Sequence, residues 1–126
     1  MFIKQPFDEF LGFEYKRNEN IIELSMKIKD LYINSAGVVH GGVISTLADV
    51  AMSNLIPTNK EGVQEIVTVD LKVSFLSPAK GEYLLAKAWA VKTGRKLLFA
   101  ECQIYNDNED LIAISNGIYS RLSKPE

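Results

Sequence analysis

The chain has 126 residues, 47% of them hydrophobic and 24% charged, with a mean hydropathy of +0.01. That describes one domain of ordinary size, residues 1–126, with enough apolar surface for a core, and it points to a soluble globular protein rather than a disordered or membrane one. A net charge of −2 and a pI near 5.5 argue against nucleic acid as the main partner. The single cysteine, Cys102, and single histidine form neither an internal disulfide nor a recognisable metal site. No run of about 18 apolar residues marks a membrane span, and Met1 to Pro6 lacks the apolar segment of a signal peptide, so the expected compartment is the cytoplasm.

Pro6 can open a short helix through Phe7, Phe10 and Leu11, with proline at a permitted first-turn position. Gly12 to Arg17 and Ile21 to Ile28 read as a hairpin joined by Asn18-Glu19-Asn20, whose asparagines tolerate turn conformations. Asp30 to Val39 is a loop carrying Asn34, Ser35 and Gly37. The one long helical candidate follows, from His40 to Ile56. Its Val43, Ile44, Leu47, Ala48, Val50, Ala51, Met52, Leu55 and Ile56 leave almost no solvent face, so the rest of the chain should wrap it. A narrow polar stripe of Ser45, Thr46, Asp49 and Ser53 is the exception.

Pro57 to Gly62 breaks this helix. Glu65 to Leu76 then reads as a strand with Val67, Val69, Leu71, Val73 and Phe75 on one face and Thr68, Asp70, Lys72 and Ser74 on the other. Ser77 to Gly81 turns into Glu82 to Thr93, whose Leu84, Ala86, Ala88 and Ala90 form a small-residue face able to take the helix closely. Gly94-Arg95 leads to Lys96 to Tyr105, and Asn106 to Glu109 leads to Asp110 to Leu122, completing an antiparallel meander. Ser123 to Glu126 is expected to fray. The sum is an α+β arrangement: one long central helix wrapped by a curved antiparallel sheet of five to six strands. Such a sheet leaves an edge strand, which a second copy of the chain can cover.

Two features of the helix point to chemistry. Gly41 and Gly42 weaken a helix start, yet they admit another molecule to first-turn N–H groups that have no intrahelical partner and can polarise a carbonyl. Asp49, on so apolar a helix, needs hydrogen bonds to offset its desolvation, a setting that suits a general base, a nucleophile or a buried structural carboxylate. Gly41 and Asp49 are eight residues apart, roughly 12 Å along the axis, so one helix cannot bring both to one carbonyl carbon. If they serve one reaction, an antiparallel second helix across a two-fold axis must supply one of them, and the site lies between subunits.

Asn34-x-x-Gly37-x-x-His40-Gly41-Gly42, Leu47-Ala48-Asp49, Thr68-Val69-Asp70-Leu71 and Phe75-Leu76-Ser77-Pro78-Ala79 resemble the hotdog-fold acyl-CoA thioesterases of the phenylacetate-degradation (PaaI) type. The similarity runs from about Leu11 onward. It implies that the Gly41 amide polarises the thioester carbonyl while Asp49 of the partner chain activates water or attacks directly. It further implies that Asn34 and His40 hold the thioester or the water and that the Thr68 hydroxyl orients the water. His40 has a plainer reading as a first-turn residue bonded to backbone.

The same resemblance puts coenzyme A, as part of the substrate and with no separate cofactor, near the hairpin carrying Lys92, Arg95 and Lys96, with Gly42 at the substrate. Lys80 lies in another turn. Arg95 has the planar fork that grips phosphate, although turn cations are also commonly just solvated. Phe7, Phe10, Leu11, Val43, Met52 and Phe75 are acyl-pocket candidates that double as core. The resemblance implies a homodimer, paired further into a tetramer, with no nucleic acid or membrane partner. A non-catalytic acyl-CoA sensor and a hotdog hydratase or dehydratase are the competing readings.

Overall fold

A computed structural model describes residues 5–122; the expected frayed end at 123–126 and the first four residues lie outside that range. The elements in chain order are α1 (Pro6–Leu11), β1 (Glu14–Asn18), β2 (Ile21–Lys27), a 3₁₀ turn (Asp30–Tyr32), α2 (Gly41–Ser53), β3 (Ile66–Phe75), β4 (Tyr83–Thr93), β5 (Leu97–Asn106) and β6 (Leu111–Arg121). Six strands form one antiparallel sheet in the order β1-β2-β4-β5-β6-β3. The chain passes from β2 through α2 to β3 on the far edge, and this crossover lays the helix across the sheet.

Helix α2 buries Ile44, Leu47, Ala48, Ala51 and Met52 against a wall whose centre is small. Ala88 pairs with Cys102 and Ala86 with Ile104, all buried, so the helix approaches the sheet closely over the middle strands. Leu24 and Met26 of β2 and Leu84 of β4 fill the flanks. Ala90, expected on this face, is exposed; it lies where the β4–β5 register shifts between Ala90 and Lys92.

Three local details differ from the sequence reading. The helix stops at Ser53 rather than Ile56, because the Asn54 side chain bonds back to Val50 O (2.8 Å) and Leu55 and Ile56 tighten into bonds three residues back before Pro57. In the β1–β2 turn Glu19, not an asparagine, takes the left-handed conformation at φ 56. On β3 the alternation is broken: Thr68 pairs with Tyr119 and Asp70 with Ile118, leaving Val69 as a bulge. Ile66 and Thr68 therefore face the helix before the bulge and Leu71 and Val73 after it, while Val67 and Val69 are exposed.

Two outcomes check this packing. Leu47→Ala removes a side chain with no exposed surface and should cost about 2–5 kcal/mol in denaturant unfolding. Burial pushes the buried Cys102 thiol up to about 12, so at pH 8 it stays protonated; a thiol reagent should find no reactive thiol in the native protein and one per chain in denaturant.

Candidate active site

Asp49 leaves the apolar face of α2 toward β3 and β6, where two hydroxyls meet one of its oxygens. Thr68 Oγ1 donates to Oδ1 at 2.8 Å and Tyr119 Oη donates to the same oxygen at 2.9 Å. The Tyr119 hydroxyl also lies 3.3 Å from the Asp49 backbone carbonyl. These bonds hold the charge of a half-buried carboxylate and fix its orientation, while Oδ2 takes no hydrogen bond among the described residues. Burial, then the Asp49 charge and the bond to it, hold the Tyr119 phenol far above its ordinary pKa, so it remains a donor. Around this group lies a cleft of about 230 Å³ lined by Asp8, Ser53, Asn54, Gln64, Thr68 and Tyr119, among others.

The other end of α2 opens on a different cleft of about 560 Å³, lined by Asn34, Gly41, Ile44, Phe75, Leu76 and Pro78, among others. The chain reaches the helix through an Ile33–Val39 bridge and bonds from Val39 N to Ala79 O (3.0 Å) and His40 N to Tyr32 O (2.8 Å). Asn34 Oδ1 accepts from Ala36 N (2.9 Å) and Val38 N (3.3 Å), which leaves its Nδ2 donors uncommitted among the described residues. His40 is the N-cap: its Nδ1 accepts from Gly42 N at 2.9 Å, which puts the proton of the neutral ring on Nε2. Its plainer reading thus holds for Nδ1, and Gly42 N–H is already taken. Gly41 N–H remains, and the Phe75 ring lies so close that a Cβ on Gly41 would sit 3.3 Å from its Cζ.

Asp49 and Thr68 therefore meet in one cleft and Asn34 and Gly41 in another. Lys92, Arg95 and Lys96 are exposed on the β4–β5 hairpin, near the sheet end where Leu98 pairs with Tyr119 and Tyr119 with Thr68. Of the acyl-pocket candidates, Leu11 and Met52 are core, Phe7 and Phe10 are exposed, Val43 packs at the core edge, and Phe75 borders the Gly41 cleft.

Residues 36–113 match the model of the thioesterase superfamily. The chain belongs to that superfamily. The medium/long-chain acyl-CoA thioesterase YigI of Escherichia coli is 28% identical over 130 residues, covering 90% of this chain and 84% of its own. A Bacillus halodurans protein solved with CoA superposes at a TM-score of 0.85 and 27% identity, over 97% of this chain and 82% of that one. The Escherichia coli PaaI protein of the phenylacetic acid degradation operon shares the fold at a TM-score of 0.83 and 21% identity, over 95% and 86%. The architecture is the hotdog fold, and the superfamily member described here is a thioester hydrolase.

Tyr119 is the site residue that sequence reasoning missed. It lies beyond the matched segment, and a tyrosine inside a strand reads as core. A signal was nevertheless present: Gly117, two residues before it in mid-strand, marks a close approach. A Cβ at Gly117 would sit 2.6 Å from Tyr119 Cε2, so the ring crosses to Asp49 through the space the glycine leaves. Gly117→Ala should lower stability by about 1–3 kcal/mol, seen as a drop of several degrees in Tm.

Proposed function

We propose that the protein hydrolyses acyl-CoA thioesters, aryl-acetyl or medium to long aliphatic, at a site shared by two chains of a cytoplasmic homodimer that pairs further into a tetramer. In one protomer the Gly41 N–H polarises the thioester carbonyl, with the Asn34 amide and His40 Nε2 beside it. The second copy's Asp49 activates water, or attacks directly to give a mixed anhydride that water then opens. Attack places negative charge on the former carbonyl oxygen, where one donor such as the Gly41 amide is worth roughly 3 kcal/mol; collapse of the intermediate expels the CoA thiolate. Thr68 and Tyr119 occupy Oδ1, so Oδ2 is the oxygen that works. Lys92, Arg95 and Lys96 meet the phosphates of coenzyme A, and Gly42 keeps the backbone open to the substrate.

The observation that carries this reading is the pair of half-sites at opposite ends of one helix. Eight residues and roughly 12 Å separate Gly41 from Asp49, and each lines its own cleft. An antiparallel second helix makes one complete site from two halves. The free edge of β3 supports pairing of two chains, and the relatives support the thiol carrier: YigI is named for medium/long-chain acyl-CoA and the Bacillus protein was solved with CoA.

Release of free thiol from a panel of acyl-CoAs tests it. Asp49→Asn should lower kcat by about 10²–10⁴-fold; unchanged turnover would remove Asp49 from the mechanism. Mixing Asp49→Asn chains with Asn34→Ala chains should restore one good site per hybrid dimer. Verified hybrids that stay inactive would rule out the cross-chain arrangement.

A further inference from the structure

Helix α1 is built inside out. Phe7 and Phe10 stack with ring centroids 6.5 Å apart and are 58% and 57% exposed, whereas Asp8 between them is 9% exposed. Exposing two rings and burying a carboxyl both oppose folding, and Leu11 is the buried apolar anchor of the helix. The Asp8 carboxyl is held by Tyr15, whose hydroxyl donates to Oδ2 at 2.8 Å. Oδ1 takes no hydrogen bond among the described residues, yet none of their buried side-chain polar atoms is left unpaired. Oδ1 is therefore open, and the cleft that Asp8 lines is the one around Asp49.

From Asp49 this cleft runs along α2 past Val50 and Ser53 to Asn54, and Gln5 and the α1 residue Asp8 also line it. Tyr15 holds Asp8, and two residues along the same strand Arg17 donates to the Asn54 carbonyl at 3.2 Å, which brings Asp8 near the level of Asn54. That level is five residues beyond Asp49, about 7.5 Å along the axis, roughly the span of a six-carbon acyl chain. The approximately 230 Å³ of the cleft holds a short acyl group. A plain alkyl end would strip water from Oδ1 and give it no partner.

We propose that Asp8 is a specificity residue that recognises a hydroxyl at the far end of the acyl group, so that the preferred thioesters are ω-hydroxyacyl-CoAs of about six carbons. This rests on the acyl-CoA reading above and narrows it to its shorter, polar-ended members. A hydroxyl both donates and accepts, so it pairs with Asp8 in either protonation state. Burial, opposed by the Tyr15 bond, raises the Asp8 pKa, which an ammonium-ended chain would have to reverse.

The test compares kcat/KM for thiol release from hexanoyl-CoA and 6-hydroxyhexanoyl-CoA, with four- and eight-carbon pairs bracketing the reach. The expected result is a preference of at least about tenfold for the hydroxylated six-carbon ester. Asp8→Leu should erase that preference while keeping hexanoyl-CoA turnover, and Asp8→Asn should keep part of it, with Tm recorded for each variant. Equal rates within every pair for the wild-type protein would overturn the proposal, and so would a Leu variant that loses both activities by the same factor. The wild-type comparison stands even if Asp8→Leu does not fold. Thiol release from none of the esters would remove the acyl-CoA reading itself, whereas release without discrimination removes only the role of Asp8.

Discussion

A single carboxylate oxygen ties three elements of this protein together. Asp49 Oδ1 belongs to the central helix, and its two donors belong to the edge strand β3 and its neighbour β6. Asp49 is half-buried beside the core, and these bonds offset the desolvation of its charge there. A bulge in one strand and a glycine in the other serve the same atom. The Val69 bulge turns Thr68 inward, and Gly117 clears the path of the Tyr119 ring.

The helix divides the chemistry by its ends. At its start, a backbone donor without an intrahelical partner faces an open and largely apolar cleft. Two turns along, a carboxylate faces a smaller polar one. A fold built on one helix cannot join these groups within a chain, since the helix is a rigid spacer with a fixed rise. The length of α2 thus shapes the proposed assembly as much as any surface does.

Much of this was legible in the sequence. The long apolar run around Leu47, the glycine pair and the isolated Asp49 mark the central helix and the two groups of the proposed site, and alternating strands with turn residues mark the meander. Other parts were not legible, for physical reasons. A bulge exists only relative to the partner strand, so the valines of β3 looked like one continuous face until Thr68 and Asp70 were paired with consecutive residues of β6. Asp8 sits in a six-residue helix, too short for periodicity to tell its inner face from its outer. Glu19 at positive φ shows hairpin geometry overriding residue preference.

The Gly117–Tyr119 contact also constrains the routes by which this site can vary. With the tyrosine in place, any side chain at 117 collides with its ring, whereas a smaller residue at 119 would leave 117 free to change. The two positions are therefore coupled in a preferred order: the ring must shrink before the glycine can be replaced, and once it has been replaced the way back is obstructed. Single-site diversification would find position 117 closed for as long as the ring at 119 stands, although the two are neighbours on one strand face.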